Sequence, residues 1–206
     1  MSQPHLYPVA SRAVARADRE ARAGHRGGVY WLTGLSGAGK STVALRAERE
    51  LFAAGANVRL LDGDDVRTGL CADLGFSLDD RRENIRRVAC VARLFCESGA
   101  VVLCSFVSPT RAVRELAREI VGPDDFHEVH VAADLATCEA RDVKGLYARA
   151  RAGEIRGFTG VDSPYEPPEH PALRLDTSGE SAEASAKTLL DFVRTRSALP
   201  AQPPRP

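Results

Sequence analysis

The chain has 206 residues, of which 44% are hydrophobic and 27% are charged, values typical of one soluble globular domain with a buried core. Lysine plus arginine number 28, as do aspartate plus glutamate, so the formal net charge of zero argues against a nucleic-acid binder. The longest apolar run, near residues 100–107, is too short to span a membrane, and the N-terminus lacks the apolar core of a signal peptide. Five scattered cysteines without a C-x-x-C pair indicate reduced thiols, so we expect a cytoplasmic protein.

The hydrophobic pattern alternates between helical and strand periods along most of the chain. In chain order it predicts helix 9–26, strand 29–34, helix 40–53, strand 57–62, helix 79–98, strand 100–106, helix 110–120, strand 126–132, helix 134–141, strand 172–176 and helix 180–196. Residues 145–171 show no long period of their own. The alternation predicts an α/β fold, with a parallel β-sheet that helices cover on both faces. We divide the chain into a helical extension (1–28), one domain (29–196) and a frayed, proline-rich tail (197–206).

A glycine-rich segment joins the first predicted strand to the next helix. Residues 34–41, GLSGAGKS, fit the pattern G-x-x-x-x-G-K-[ST], in which backbone amides surround the β- and γ-phosphates of a nucleotide. Lys40, one of only three lysines, reaches the phosphates in such a loop, and the Ser41 hydroxyl can ligate Mg²⁺. A glycine-rich turn that binds nothing is the alternative, and the strand–helix context argues against it. The expected nucleotide contacts are Gly34, Leu35, Ser36, Gly37, Ala38, Gly39, Lys40, Ser41 and Thr42.

Carboxylates follow the second predicted strand, at the end where parallel strands present side chains to a ligand crevice. Asp62 and Asp64 are the candidates: one can accept a proton from an attacking hydroxyl, and one can hold water on Mg²⁺. Asp64 is the better candidate for the base and the metal. The alternative is an aspartate-rich turn that caps the next helix, which suits Asp65 best. The chain lacks the N-K-x-D motif of a GTPase and the length of a motor.

At this point the sequence resembles the adenylylsulfate kinases. The motifs that carry the resemblance, between about residues 29 and 175, are GLSGAGKST, DGDDVRTGLCADLGFSLDDRRENIRR, SFVSP, CEARDVKGLYARARAGEIRGFTG and VDSPYEPPEHP. The resemblance implies a P-loop kinase fold and transfer of the γ-phosphoryl group of ATP to the 3′-hydroxyl of adenosine 5′-phosphosulfate (APS). It implies Mg²⁺ as the cofactor and a homodimer as the assembly.

The resemblance also implies where APS binds. Arg67, Arg81 and Lys144 resemble the cations that meet its phosphosulfate group, and Asn84 shares a helix face with Arg81. A solvated, ion-paired surface is the alternative for this helix, and it suits the other arginines of DRRENIRR better. The substrate-binding candidates are Asp62, Arg67, Phe76, Arg81, Asn84, Lys144 and Phe158.

Two phenylalanines resemble the walls of an adenine slot. Phe76, in LGF, and Phe158, in GFTG, are expected to enclose the adenine of APS, with Phe158 exposed until the ligand arrives. An ordinary core aromatic is the alternative for Phe158. Residues 145–163 resemble a mobile lid that closes over both nucleotides and excludes water. Arg141, in CEARD, resembles the residue that packs on the adenine of ATP.

Three positions depart from the family pattern. Asp65 stands where asparagine is commoner, and we expect its charge to point away from the phosphates. Cys71 often has asparagine in its place, and Thr110 often an aromatic residue or histidine. Ser108, in SFVSP, corresponds to a serine described in bacterial members as a phosphoserine intermediate. We count it as a candidate site residue with a structural or substrate-contact role, because in-line transfer needs no such intermediate.

Two other functions stay open at this level. Another small-molecule P-loop kinase, for a nucleoside monophosphate, a sugar acid or an antibiotic, would share the P-loop and the lid but not the paired LGF and GFTG phenylalanines. A non-catalytic nucleotide-binding regulator would be expected to lose Lys40, Ser41 or Asp64, and all three are present. The length leaves no room for a fused ATP sulfurylase, so we expect a stand-alone kinase.

Overall fold

A five-stranded parallel sheet forms the centre of the computed structural model, which describes residues 13–198. The strands are β1 (Gly28–Thr33), β2 (Val58–Asp62), β3 (Val101–Ser105), β4 (Phe126–Ala132) and β5 (Leu173–Asp176). Their spatial order is β2-β3-β1-β4-β5, and every neighbouring pair is parallel. The predicted α/β fold is confirmed, and each strand lies within one residue of its predicted bounds.

Helices cover both faces of this sheet. They are α1 (Arg16–Ala23), α2 (Lys40–Ala53), α3 (Gly63–Arg67), α4 (Leu78–Glu97), α5 (Arg111–Val121), α6 (Leu135–Arg141), α7 (Leu146–Arg151) and α8 (Ala182–Ser197). Within residues 13–198, none of them combines the length and apolar character that a membrane span requires.

The sequence prediction was wrong about three of these helices. The helix predicted over 9–26 spans only Arg16–Ala23, because Gly24 ends it in a left-handed conformation, with φ 75°; residues 9–12 lie outside the described range. The short helices α3 and α7 were not predicted. In each, a carboxylate accepts hydrogen bonds from backbone amides of the first turn: Asp62 in α3 and Asp142 in α7. A carboxylate in this role does not change the hydrophobic pattern, so periodicity did not predict these helices.

Strand β1 is buried on both faces, and its alternating side chains enter two separate cores. Tyr30 and Leu32 pack with residues of α2 and α8. Val29 and Trp31 pack on the other face with residues of α4 and α5. A strand covered on both faces reads as a continuous apolar run, which explains why GVYWLT stands out in the sequence.

The strand order determines where a ligand crevice can form. From β1 the chain crosses to β2, at one edge of the sheet. From β3 it crosses toward the opposite edge, to β4, so the direction of the connections switches between the adjacent strands β3 and β1. Open parallel sheets bind ligands beyond the carboxyl ends of the strands at such a switch point. The segments that follow β1, β2 and β3 (residues 34–41, 62–65 and 106–110) meet at this edge.

Helix α1 is anchored to the opposite edge of the sheet by one arginine. The Arg16 guanidinium donates to both carboxylate oxygens of Asp125, at 2.5 and 2.7 Å, and to Glu20 Oε1 at 2.8 Å. The hydrogen bond with Asp125 raises the pKa of Arg16 above its usual value. Asp125 in turn accepts the Val29 amide at 2.8 Å, so α1 is joined directly to the start of β1.

We expect Arg16→Ala to lower the free energy of unfolding by about 1–2 kcal/mol, because it removes a bidentate, charged hydrogen bond that is partly shielded from water. The two side chains are 29% and 20% exposed, so solvent screens only part of the interaction. Urea denaturation monitored by circular dichroism measures the change. Arg22→Ala, on the exposed side of α1, is the matched control and should change stability by less than half as much. Equal losses in the two variants would contradict the anchoring role.

Candidate active site

The P-loop (residues 34–41) lies in direct contact with the backbone of β4 and α6. A Cβ atom at Gly34 would lie 2.4 Å from the Val131 carbonyl oxygen, and one at Gly37 would lie 2.9 Å from that of Cys138. No larger residue fits at either position without moving the backbone. Gly34 and Gly37 are therefore required by this close approach.

Five consecutive P-loop carbonyl oxygens, those of residues 34–38, accept hydrogen bonds from side chains. The donors, in loop order, are Lys40 to residues 34 and 35 (2.9 and 2.7 Å), Tyr147 to residue 36 (2.9 Å), Arg141 to residue 37 (3.3 Å) and Thr177 to residue 38 (2.8 Å). With its carbonyls engaged by protein donors, the loop leaves backbone amides as the groups that a phosphate can meet. Sequence analysis did not single out Tyr147 and Thr177.

Lys40 is buried below this loop at the start of α2, with only 8% of its surface exposed. Burial lowers the pKa of Lys40 to about 8, because the ammonium loses its hydration. The two carbonyl contacts use two of its three donors, so one N–H is left for a ligand.

Ser41 and Asp62 meet at the carboxyl ends of the central strands. The Ser41 hydroxyl donates to Asp62 Oδ2 at 2.6 Å and lies 3.1 Å from the Ser105 hydroxyl. Asp62 Oδ1 accepts the Asp64 amide at 3.0 Å and caps α3. The expectation that Asp65 suits the capping role best is therefore wrong. Asp65 is exposed within the first turn of α3, while the cap is the residue that precedes the helix.

Asp64 and Lys144 form an ion pair across the crevice. Asp64 lies in the first turn of α3, and Lys144 lies between α6 and α7 at the start of the predicted lid. Their side chains are 70% and 54% exposed, so both groups are accessible to a nucleotide. The structure thus brings together two residues that sequence analysis assigned to different roles.

Arg67 and Phe76, both predicted to contact APS, form a cation–π contact. The guanidinium carbon lies 4.3 Å from the centre of the Phe76 ring, and the group also donates to Gly75 O at 2.9 Å. The ring itself is 67% exposed. An apolar ring held open to solvent in this way is a candidate ligand contact.

Arg81 joins the two regions that contain the predicted adenine walls. Its guanidinium donates to Phe76 O at 2.9 Å, to Gly157 O at 2.7 Å and to the Thr159 hydroxyl at 2.9 Å. Asn84, one turn further along α4, is 4% exposed, and its Nδ2 is the one buried side-chain polar atom without a partner in residues 13–198. A buried donor of this kind requires an acceptor, which a bound water or a polar ligand can supply.

The remaining charged groups of this helix form the solvated surface considered as the alternative. Glu83 accepts from Arg86 at 2.7 Å and from Arg87 at 2.9 Å, and Arg87 also reaches Asp73. These ion pairs lower the pKa of Glu83 to about 2. Helix α4 thus carries its ion pairs on one face and Arg81 and Asn84 on another.

Phe158 is half-buried, so the expectation that it is exposed without ligand is wrong. Its ring meets the ring of Tyr147 edge-on, with centres 5.0 Å apart and an 84° angle. The Asp162 carboxylate accepts the amides of Gly157 and Phe158 at 2.7 and 2.6 Å and closes the turn around the ring. Tyr147, which shields Phe158, lies on a helix that was not predicted.

Ser108 lies beside the crevice with its hydroxyl directed into the protein. The residue is 3% exposed, and its Oγ accepts from the Trp31 indole at 3.1 Å. This contact favours the structural role over a phosphoserine intermediate. Thr110, where the family often has an aromatic residue or histidine, is the N-cap of α5. Its hydroxyl accepts a hydrogen bond from the Val113 amide at 3.4 Å. An aromatic ring or a histidine at this position would not cap the helix in the same way.

The chain matches known proteins over most of its length. The adenylylsulphate kinase family profile matches residues 26–176. The chain belongs to the adenylylsulfate kinase family. The adenylyl-sulfate kinase of Phocaeicola vulgatus is 51% identical over 193 residues, 94% of this chain and 95% of that protein. That of Citrobacter koseri is 56% identical over 185 residues, 89% of this chain and 91% of that protein.

Solved structures agree with this assignment. The Mycobacterium tuberculosis APS kinase CysC, in complex with AMPPNP and APS, superposes with a TM-score of 0.79 at 49% identity, over 82% of this chain and 98% of that one. A gluconokinase from Sinorhizobium meliloti superposes with a TM-score of 0.55 at 17% identity, over 82% of this chain and 92% of that one. The second likeness shows the P-loop kinase fold alone, whereas the first lies within the adenylylsulfate kinase family.

We expect nucleotide affinity to fall as the pH rises above about 8, the pKa of the buried Lys40 ammonium. Phosphates favour the charged ammonium, so binding above this pH takes up a proton, and affinity for ADP should fall by up to about tenfold per pH unit. Calorimetry in two buffers of different ionisation enthalpy measures both effects. Lys187→Gln, at an exposed lysine on α8, is the control and should leave the profile unchanged. Affinity and proton uptake that do not vary with pH would exclude this role for Lys40.

Proposed function

We propose that this chain transfers the γ-phosphoryl group of ATP to the 3′-hydroxyl of APS, giving 3′-phosphoadenosine 5′-phosphosulfate and ADP. The position of Arg81 carries the proposal. This one guanidinium donates to the Phe76 carbonyl on one side and to the neighbours of Phe158 on the other, so it joins the two segments that carry the rings. A slot between two aromatic residues suits a flat purine. Membership of the adenylylsulfate kinase family supports the same substrate.

The anionic end of APS is proposed to lie against Asn84, Arg67 and Lys144. Asn84 offers a buried donor that lacks a partner, and a substrate oxygen that accepts from it removes the desolvation penalty. Lys144 is accessible and can exchange its carboxylate partner for the phosphosulfate group. These positions give the pocket cations on both sides of a double anion.

ATP is proposed to bind at the P-loop, with its phosphates at the loop amides, the N-terminus of α2 and Lys40. Arg141 is the proposed platform for the adenine of ATP. Its guanidinium bridges Gly37 O in the P-loop and Thr177 O after β5, and the residue is exposed. A planar cation fixed in this way can stack on a base. The two adenines therefore bind at separate places.

The oxygen donors at the crevice fit Mg²⁺. Ser41 and Asp62 place two hard oxygen ligands 2.6 Å apart beside the P-loop, and Asp64 follows in the next turn. Residues 13–198 contain no group of three or more His, Cys, Asp and Glu arranged as a metal cage. Mg²⁺ needs none, since it keeps waters and nucleotide phosphates among its ligands. When bound, it neutralises charge that develops on the transferred phosphoryl group.

Asp64 is proposed to accept the proton of the 3′-hydroxyl or to orient the metal. Both oxygens of Asp62 are already engaged, by Ser41 and by the Asp64 amide, so Asp62 is suited to a positioning role. The Asp64 carboxylate is exposed and has Lys144 as its partner. Substrate that draws Lys144 to its phosphosulfate group frees this carboxylate at the place where the hydroxyl arrives.

We also propose an assembly and a location. A homodimer follows from the family resemblance. An APS kinase from Thiobacillus denitrificans, 32% identical with a TM-score of 0.63 over 86% of this chain and 30% of that one, is hexameric. A cytoplasmic location rests on the five cysteines, which are all free. Sedimentation equilibrium of the purified protein tests the homodimer directly.

We expect Asp64→Asn to lower kcat about 100-fold or more and to change the KM for APS little, because a base acts in the transition state more than in the ground state. Steady-state ADP release with varied APS measures both constants. Asp65→Asn, the same change at the exposed neighbouring carboxylate, is the matched control and should retain normal turnover. If Asp62→Asn is inactive while Asp64→Asn is not, the two assignments are reversed.

We expect Phe158→Ala to weaken APS binding about fivefold, equivalent to about 1 kcal/mol of stacking, and to leave ATP affinity unchanged. Titration of both nucleotides against the variant measures the effect. Phe158→Leu keeps apolar contact with Tyr147 and removes the aromatic ring, so it should lose APS affinity as well. Recovery of APS binding in Phe158→Leu would assign the residue to packing, and loss of ATP binding would place it on the other side of the crevice.

A further inference from the structure

Residues 157–167, here called the strap, comprise the end of the predicted lid (145–163) and the four residues after it, and they include Phe158. Beneath the strap lies a cavity of about 880 Å³, lined on the sheet side by His130 and Arg174 and on the strap side by Gly160 and Tyr165. Phe158, Val161 and Tyr165 pack against the core beside this cavity, and the Tyr165 hydroxyl lies 3.1 Å from that of Thr33. Polar contacts at the two ends of the strap add to this packing.

The first end of the strap is fastened by Arg81, as described above. The second end is fastened through every polar group of Glu166. The Glu166 amide donates to Pro109 O at 2.8 Å, its carboxylate accepts the Arg111 amide at 2.7 Å, and its carbonyl accepts from Arg114 at 2.8 Å. The strap is thereby joined to the loop after β3 and to the first turn of α5.

Arg114 is the centre of this second attachment. The residue is 3% exposed, and each guanidinium nitrogen has a different acceptor. Nε donates to Glu128 Oε1 at 2.6 Å, one terminal nitrogen to Ser108 O at 2.9 Å, and the other to Glu166 O. One planar group therefore connects β4, the loop after β3 and the strap.

The Ser108 contact involves a strained residue. Within residues 13–198, Ser108 is the only non-glycine residue whose φ, 37°, lies in the left-handed region that favours glycine. Such a conformation persists only where surrounding contacts determine it. Trp31 holds the side chain at 3.1 Å, and Arg114 holds the carbonyl. The loop follows β3 at the switch point of the sheet, beside the proposed APS site.

We propose that Arg114 is a positioning residue, which sets the loop around Ser108 and the second end of the strap so that Phe158 is placed against the adenine of APS. This rests on the proposed function. Arg114 is buried and donates to the carbonyls of Ser108 and Glu166, and it acts through these two residues. Lysine cannot replace it, because a single ammonium cannot span three acceptors that match a planar fork.

The test compares Arg114→Lys with Arg111→Lys. Arg114→Lys keeps a positive charge beside Glu128, which favours folding, but it loses the planar guanidinium that donates to three acceptors at once. The second changes an exposed arginine one turn earlier on α5, paired with Glu169. For Arg114→Lys we expect the KM for APS to rise about tenfold, with the KM for ATP within twofold of normal, because misplacement of one binding surface is enough for such a loss. Arg111→Lys should leave both constants unchanged.

Hydrogen–deuterium exchange of the strap amides separates this proposal from the proposed function. Faster exchange over residues 157–167 in Arg114→Lys, compared with Arg111→Lys, is expected whatever substrate the chain phosphorylates. Unchanged exchange, or an equal rise in both KM values, would overturn the positioning role. A variant that is less stable but keeps normal KM values would also overturn it, because Arg114 would then be merely structural. If Arg114→Lys does not fold, Glu166→Ala removes the acceptor for the Arg111 amide at the same attachment and is judged by the same readouts.

Discussion

A P-loop binds phosphate through its backbone amides, so its backbone carbonyls need hydrogen-bond donors from elsewhere in the protein. Here five carbonyls in succession find side-chain donors, supplied by α2, α6, α7 and the segment after β5. The donors lie up to 139 residues away along the chain from the carbonyls they meet. Because an unpaired buried carbonyl is costly, the phosphate site forms only when these other elements are in place. The nucleotide loop is thus a product of the whole fold.

The same contacts also connect the proposed ATP site with the proposed APS site. Tyr147 is bound to the P-loop through its hydroxyl and contacts Phe158 through its ring. A single side chain therefore touches the proposed sites of both nucleotides. Arg81 and Arg114, from two helices on the other face of the sheet, hold the two ends of the segment that contains Phe158. Rigid helices thereby position a segment that has little core of its own.

Sequence reasoning succeeded where the signal is local. The P-loop, the strands and the long helices can each be recognised within about twenty consecutive residues, from periodicity or a fixed spacing. It failed where a contact joins separate elements. The burial of Phe158 depends on Tyr147, which lies on a helix that was not predicted. The helix α3 was missed for a different reason: five residues are too few to show a period, and its cap was attributed to the wrong aspartate.

The ion pair between Asp64 and Lys144 has a physical consequence of its own. Both groups are more than half exposed, and pairs of this kind contribute about 0–1 kcal/mol, close to the thermal energy. Dissolved ions screen such a pair over about 8 Å at physiological strength. The connection between the DGDD turn and the lid is therefore one that ordinary fluctuations break and remake without any trigger. Higher ionic strength weakens the pair further, so the fraction of time that Lys144 spends bound to Asp64 falls as salt rises.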